Sequence, residues 1–111
     1  MSSPEAKVET RLRNRVKSLG GVAVKFAAPG YRSWPDRLVL MPGGEAYFVE
    51  LKAPGKKPTP QQLLRHQMLL GLGFPVTVLD STTKVDEWTN ETLRQSESVR
   101  ADDNTPTDQS L

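Results

Sequence analysis

The sequence predicts a small mixed α/β domain, and three observations indicate this fold class. Its 111 residues are enough for one modest core and too few for two. Apolar residues recur at helical spacing in three segments, whereas four shorter segments are rich in β-branched residues. Hydrophobic residues make up 36% of the chain and aromatic residues 6%, so part of its length is expected to form loops or a tail.

The first predicted element is an amphipathic helix. Ser3 and Pro4 have the residue types of an N-cap and a first helical position, and apolar residues then recur at helical spacing up to a glycine pair at positions 20 and 21. A β-branched run at residues 22–27 predicts the first strand. Residues 28–36 contain two prolines, a glycine and a serine, and this composition predicts a loop.

The next predicted unit is a β-hairpin. Residues 37–41 and 45–52 have the pattern of two strands, and the Pro-Gly-Gly sequence between them is typical of a tight turn. A basic loop rich in proline and glycine follows, and Thr59 and Pro60 then predict the start of a second helix. The apolar side of this helix is predicted to consist of Leu63, Leu64, Met68, Leu69 and Leu72.

The end of the chain differs in composition from the rest. A strand at residues 74–80 and a weaker helix at residues 82–94 complete the order helix, three strands, helix, strand, helix. Residues 95–111 are polar and acidic, and such a composition cannot bury enough apolar surface to offset the entropy of ordering. We therefore expect a folded domain at residues 1–94 and a disordered tail at residues 95–111, whose role the sequence leaves open.

Positive charge is concentrated in the predicted domain. Residues 1–94 hold 14 of the 15 Lys and Arg residues and nine of the 13 Asp and Glu residues, a formal charge of +5, whereas residues 95–111 carry −3. Twelve of the basic residues precede position 66. This distribution suggests a surface that meets phosphate groups, although ordinary solubility charge would account for it equally well.

The residue types exclude several kinds of site. The chain has no cysteine, which excludes a disulfide framework, a thiolate zinc site and a cysteine nucleophile. With His66 as its single histidine, a metal site built from histidines is excluded as well. No apolar run approaches the roughly 20 residues that span a bilayer, and the N-terminus lacks the apolar core of a signal peptide. We therefore expect a soluble, cytoplasmic protein.

Two charged residues interrupt the second hairpin strand, YFVELK. Alternate side chains of a strand share a face, so Glu50 and Lys52 are expected to be neighbours on one face. Both faces are otherwise apolar, and burying a carboxylate costs on the order of several kcal/mol unless it is paired or bound to a cation. The two residues fit either a simple ion pair at a fraying strand end or a functional site.

A second carboxylate is expected beside the first. Asp36 begins the preceding hairpin strand, and the turn folds that strand back so that Asp36 and Glu50 converge at the open end of the hairpin. Adjacent carboxylates repel, which raises a pKa or recruits a cation, and oxygen ligands suit Mg²⁺ or Mn²⁺. Lys52 could then orient a water or offset charge on a phosphate under attack. Asp36 also fits a simple turn position after proline.

The two longer helices offer further polar groups. Glu5 and Glu9 lie one turn apart on the border of an apolar stripe, so at least one is expected to face the sheet. Alternatively, they interact favourably with the helix N-terminal dipole, a reading that suits Glu5 better than Glu9. Gln62 lies three residues after Thr59, which is the spacing of a capping box, and Gln61 is the other amide available there.

These residues together carry a family resemblance. A WPD sequence ends at Asp36, and an ELK sequence starts fourteen positions later at Glu50. This pattern resembles the PD-(D/E)XK nuclease superfamily, and more closely its VRR-NUC branch, the virus-type replication-repair nucleases, in the small stand-alone form of phages and prophages. The segments VETRL, LGGVAVKF, PDRLVLMPGG, FVELKAPGKKPTPQQ and LGFPVTVLDS carry the resemblance across roughly residues 5–90.

The resemblance implies a restriction-endonuclease-like fold, with a mixed central sheet flanked by helices, and metal-dependent hydrolysis of DNA phosphodiesters. By position, Asp36 and Glu50 would be metal ligands together with the carbonyl of Leu51, and Lys52 would be the catalytic lysine. Of the two helix-one glutamates, Glu9 matches the family better, with a role at the metal through a water.

The resemblance also bears on the remaining candidates. Gln62 matches the motif glutamine of the family when the alignment is anchored on the LGF sequence at residues 72–74, with Gln61 left open. Trp34 stands where a smaller apolar residue is more usual, and could offer a surface for base stacking. The expected phosphate contacts are Arg11, Arg13, Lys17, Lys56 and Lys57, each of which also fits solvated surface charge.

Stand-alone members of the family are homodimers that act on branched DNA, including four-way (Holliday) junctions. The resemblance therefore implies a structure-selective endonuclease in the cytoplasm of a bacterial host if the chain is phage-encoded. The alternatives are a flap- or end-directed nickase or exonuclease of the same fold, a DNA-binding module without catalysis, and an interaction protein with a buried ion pair. Cut position, natural substrate, preferred metal and pathway are open.

Overall fold

The structure describes residues 3–30 and 32–93 of the chain in a computed structural model, and this part contains both helices and strands. The helices are α1 (Pro4–Ser18), α2 (Pro60–Gly71) and α3 (Thr82–Trp88), and a π-helical segment, Thr89–Leu93, continues from α3. The strands are β1 (Val22–Lys25), β2 (Arg37–Met41), β3 (Glu45–Leu51) and β4 (Val76–Leu79). The predicted element order is confirmed, and the expected tail lies outside the described residues.

The four strands form one mixed sheet in the order β1-β2-β3-β4. β1 pairs with β2 and β2 with β3 in antiparallel fashion, whereas β3 and β4 are parallel. Parallel neighbours need a crossover connection, and α2 supplies it. The predicted mixed sheet with flanking helices is therefore present.

One face of the sheet carries the main apolar core. The helical spacing of Val8, Leu12 and Val16 buries all three side chains of α1. They pack with residues of β2, β3 and β4 and of the C-terminal helical segments. These partners are Val39, Met41, Val49, Leu51, Leu79, Val85 and Leu93. Helix α1 lies against both the sheet and α3, so its N-terminus is fixed at one end of the sheet.

The opposite face carries an aromatic cluster and α2. Phe48 of β3 contacts Phe26, Trp34 and Phe74, with ring centroids 5.6 to 6.1 Å apart. Helix α2 buries Leu69. The predicted apolar side of α2 is therefore wrong in part, because four of its five members are exposed in the structure. These four are Leu63, Leu64, Met68 and Leu72. Leu70, which was not among the five, is exposed as well.

The predicted elements differ from the observed ones mainly at their ends. β1 stops at Lys25 rather than at residue 27, although the next N–H, that of Phe26, still donates to the carbonyl of Asp36. β4 covers Val76–Leu79 within the predicted 74–80. Within the described residues, no helix combines the length and the apolar character needed to cross a membrane.

Candidate active site

The candidate site lies at the end of the sheet where β2 begins and β3 ends. Arg37 is paired with Val49 in the antiparallel register, so the next position along each strand brings Asp36 beside Glu50. The N-terminal turns of α1 and α2 approach this end from the two faces of the sheet, as their contacts with Arg37 and Glu50 show. The site therefore draws on both helices and on the central strands.

Asp36 and Glu50 differ in their surroundings. One carboxylate oxygen of Asp36, Oδ2, accepts a hydrogen bond of 2.9 Å from the backbone N–H of Leu51, which fixes the side chain across the hairpin. Glu50 is only 1% exposed. Burial and, after it, the neighbouring Asp36 carboxylate together raise the pKa of Glu50 to about 8, against the opposing charge of Lys52. The charge state of Glu50 therefore depends on its burial and on both of these neighbours.

Helix α2 holds the Glu50 carboxylate through Gln62. The Nε2 of Gln62 donates to Oε2 of Glu50 at 3.2 Å, while its Oε1 accepts from the backbone N–H of Thr59. Thr59 in turn accepts from the N–H of Gln62, which completes a capping box. Gln62 thus serves the cap and the site at once. Gln61 is exposed and instead accepts a 3.4 Å hydrogen bond from Ser33.

His66 is a second contact of Glu50, and sequence reasoning did not assign it to the site. Its Nε2 lies 3.3 Å from Oε1 of Glu50, and the residue is only 6% exposed. Burial lowers the pKa of His66, and the charge of Lys52 lowers it further. The signal that could have found His66 is its spacing, because it follows Gln62 by one helical turn on the face of α2 that meets the sheet.

On the α1 side, an open cleft of about 290 Å³ adjoins Asp36. Polar side chains from α1, β1 and the hairpin form most of its wall. The lining residues are Glu5, Glu9, Lys25, Phe26, Asp36, Arg37 and Leu51. Asp36 and Leu51 therefore adjoin a space that a phosphate group could enter, whereas Glu50 does not line this cleft.

The two helix-one glutamates take different positions in this cleft. Glu9 is ion-paired with Arg37 and, at 3.4 Å, with Arg13. Glu5 is exposed, and its charge contributes to raising the pKa of Glu50. Sequence reasoning favoured Glu9 and did not identify Arg37, whose side chain is only 8% exposed. Both glutamates thus remain candidates by geometry, and the choice of Glu9 stays a prediction.

The predicted phosphate-contacting residues lie in three different places. Arg11 is held against α3 by two hydrogen bonds of 2.7 Å to Asp86, so it contributes to helix packing. Arg13 and Lys17 line a separate cleft beside β1. Lys56 and Lys57 are exposed in the loop between β3 and α2, close in sequence to the site. Their role in DNA binding stays a prediction.

Trp34 occupies the aromatic cluster rather than an isolated surface position. Its ring contacts Phe26 at 5.6 Å, and the guanidinium of Arg65 lies 5.5 Å from the ring centroid. Its predicted use for base stacking stays a prediction. Arg65 and Arg32 line a cavity of about 290 Å³ next to this cluster, and the sequence did not single out either arginine.

The donor set at the end of the sheet consists of oxygen atoms. Among residues 3–30 and 32–93, no group of three or more Asp, Glu, His or Cys side chains is arranged to hold a metal ion. Asp36 and Glu50 supply two carboxylates, and Leu51 lines the cleft beside Asp36. Two carboxylates and water are the ligands that Mg²⁺ usually takes from a protein site, so these residues fit a hard divalent cation.

The chain is similar in sequence to one described protein and in structure to another, although no family model matches it. A protein of Acyrthosiphon pisum secondary endosymbiont phage 1, named "Putative nuclease p44", is 53% identical over 77 residues, which are 69% of this chain and 83% of that protein. A solved structure described as "VRR_NUC domain" aligns with a TM-score of 0.77 at 33% identity, covering 82% of this chain and 99% of its own. Both similarities extend over most of each chain.

Proposed function

The chain belongs to the VRR-NUC family of nuclease domains, and we propose that it is a divalent-metal-dependent endonuclease that hydrolyses phosphodiester bonds in branched DNA such as four-way junctions. The observation that carries this proposal is the position of Asp36 beside Glu50 at the end of the hairpin, where Glu50 is only 1% exposed. Such a carboxylate pair is costly for a protein that only binds DNA. It therefore favours catalysis over a DNA-binding module without activity.

The oxygen donors suit Mg²⁺ or Mn²⁺. Asp36 and Glu50 would hold the cation together with the backbone carbonyl of Leu51, and Glu9 would act through a water. Because each carboxylate raises the cost of ionising the other, a cation between them would relieve their repulsion. When bound, the cation would supply Lewis acidity, which lowers the pKa of an attacking water and offsets charge on the phosphate.

Lys52 would act directly on the reacting groups. It lies two residues after Glu50, and its charge already lowers the pKa of that carboxyl. Its ammonium would donate hydrogen bonds to a phosphate oxygen or to the attacking water, and would offset the charge that develops in the transition state. Gln62 would keep the Glu50 carboxylate in place through its 3.2 Å hydrogen bond.

Exposed cations would guide the DNA backbone to the cleft. Lys56 and Lys57 lie in an exposed loop, separated from the end of the ELK sequence by three residues, and Arg13 and Lys17 extend the basic surface along α1. Such contacts give sequence-independent affinity that falls with salt. Arg11 would contribute less than these residues, because Asp86 already binds its guanidinium.

A homodimer would supply the two active sites that paired nicks in a junction require. A chain of this size offers one site, and two symmetric cuts need a two-fold axis between two copies. The exposed leucines of α2 support this proposal, because several large apolar side chains exposed on one short helix are available for burial in an interface.

The proposed activity is tested with labelled four-way junction, flap and linear duplex substrates in Mn²⁺. Wild type is compared with Asp36→Asn, Lys52→Ala and the control Lys7→Ala, which removes an exposed lysine from a different surface of α1. We expect symmetric nicks in the junction, a loss of about 100-fold or more in the first two variants, and wild-type rates in the control. Absence of cleavage by wild type on every substrate, or unchanged rates in both site variants, would contradict the proposal. Preferential cleavage of flaps or ends would reject the junction substrate alone.

A further inference from the structure

Helix α2 presents two polar side chains, and not one, to the Glu50 carboxylate. Gln62 contacts Oε2 at 3.2 Å, and His66 contacts Oε1 at 3.3 Å. Each carboxylate oxygen therefore has its own partner from the same helix. His66 is 6% exposed and Glu50 is 1% exposed, so this contact is made away from solvent.

The burial of His66 calls for a polar partner. A buried polar group without a hydrogen bond costs on the order of 1–3 kcal/mol, and an apolar residue at this position of α2 would avoid that cost. In the structure, Glu50 supplies the partner of Nε2. The contact thus satisfies two groups that would each be destabilising alone.

His66 does not line the open cleft in which a phosphate would react. The open cleft that adjoins Asp36 is lined by residues of α1, β1 and the hairpin, and His66 is not among them. Its ring reaches the far side of the Glu50 carboxylate from α2. A group in this position can fix the orientation of a ligand but does not touch a phosphate in the cleft.

We propose that His66 is a positioning residue, which donates its Nε2–H to Oε1 of Glu50 and, together with Gln62, holds this carboxylate in the orientation that binds the divalent cation. The inference rests on the proposed function, since it assigns a role at the same metal site. Because Gln62 and His66 are one turn apart on a helix whose start is fixed by the Thr59 cap, the two donors keep a constant spacing. A carboxylate has about four acceptor positions, so one bond to each oxygen leaves others for a cation.

The test compares three variants of α2 in the full chain. His66→Leu removes the donor while keeping apolar bulk, and His66→Gln restores an amide N–H near the position of Nε2. Gln67→Leu is the control, because Gln67 is an exposed polar residue of the same helix. Mn²⁺ binding to the protein alone is measured by calorimetry, Mn²⁺ dependence and KM for DNA by single-substrate cleavage, and folding by thermal unfolding.

We expect His66→Leu to weaken Mn²⁺ binding and to raise the half-saturating Mn²⁺ concentration by about 10-fold or more, which is the usual effect of losing an outer partner of a metal ligand. His66→Gln should recover most of this loss, and KM for DNA should stay unchanged in all variants. A purely structural role would instead lower the unfolding temperature of His66→Leu and leave Mn²⁺ binding by the folded protein unchanged, which would overturn the inference. If wild type neither binds Mn²⁺ nor cleaves DNA, the proposed function fails first and this inference fails with it.

Discussion

Glu50 is the residue at which stability and the proposed activity make opposite demands. Its carboxyl group is buried beside Asp36, and both effects raise its pKa, to about 8. Contacts from Gln62 and His66 reduce the cost of this burial but do not supply a formal positive charge while His66 is neutral. The free energy of unfolding of the metal-free protein should therefore fall when Glu50 is ionised.

The metal-free protein is expected to become less stable as the pH rises from about 4.5 to about 8. The folded-state pKa of Glu50, about 8, lies above its ordinary value of 4.5. The folded state therefore binds this proton more tightly than the unfolded state, and the free energy of unfolding falls as the proton is lost. Urea denaturation in EDTA should show a fall of about 3 to 5 kcal/mol across this range that is largely absent in Glu50→Gln. Equal pH dependence in the two proteins would contradict the assignment.

Glu9 and Glu5 are expected to differ in their effect on stability. Glu9→Gln leaves the buried guanidinium of Arg37 without its carboxylate partner, and we expect a loss of about 1 to 3 kcal/mol in the free energy of unfolding. Glu5→Gln changes an exposed side chain, and its effect should stay within about 0.5 kcal/mol. Chemical denaturation of both variants provides the comparison. A similar loss in the two variants would mean that the Glu9–Arg37 pair does not stabilise the fold.

At the scale of elements, α2 links helix capping to the site. Thr59 begins the helix, and the glutamine that completes its capping box is the same residue that contacts Glu50. A disturbance of the helix start should therefore reach Glu50, the proposed metal ligand. Helix α3 provides a comparison. Its N-cap residue is Ser81, whose hydroxyl oxygen accepts one hydrogen bond from the backbone N–H of Lys84. This helix is not the one that holds Glu50.

Thr59→Ala and Ser81→Ala are expected to have similar costs in stability and different effects on metal binding. Each removes an N-cap side chain, which costs about 1 kcal/mol. Thr59→Ala also loosens Gln62, so it should weaken Mn²⁺ binding severalfold, whereas Ser81→Ala should leave Mn²⁺ binding unchanged. Thermal unfolding and Mn²⁺ titration of both proteins provide the test. Equal Mn²⁺ affinities would show that the cap and the site are independent.

The elements themselves could be predicted because their signals are local. The apolar spacing of α1, the Pro-Gly-Gly turn and the capping box of α2 each depend on neighbouring residues, and all three are found in the structure. The convergence of Asp36 and Glu50 also followed from the hairpin. The contacts that were missed join residues distant in sequence. The pairs Arg37–Glu9, Arg11–Asp86 and His66–Glu50 are separated by 28, 75 and 16 positions.

At the scale of the whole molecule, the feature that the sequence predicted least well is which side chains of α2 are exposed. Periodicity predicted an apolar side for this helix, but it could not show that Leu63, Leu64 and Leu72 point away from the sheet. The buried face of α2 contains Leu69 and His66, and it is narrower than the apolar side that was predicted for this helix. The remaining leucines are 48 to 67% exposed, which is unusual for one short helix and supports the proposed dimer.

The proposed dimer predicts that Leu64→Glu dissociates the protein. Leu64 is 65% exposed on α2, and a charge there would oppose burial in an interface. Val22→Glu is the control, since Val22 is 49% exposed on β1, the edge strand farthest from β4 in the sheet. Light scattering should give twice the 12.3 kDa mass of the chain for wild type and the control, and the single-chain mass for Leu64→Glu. A monomeric wild type would contradict the dimer without affecting the metal site.

The central claim is that Asp36 and Glu50 together form a site for a divalent cation, and Mn²⁺ titration by calorimetry tests it most directly. We predict that wild type binds Mn²⁺ and that Asp36→Asn and Glu50→Gln each weaken binding by more than about 10-fold, the smallest loss expected even for an outer partner of a metal site. Both variants must remain folded, as thermal unfolding would report. Folded variants that bind Mn²⁺ as tightly as wild type, or a wild type that binds none, would contradict the claim.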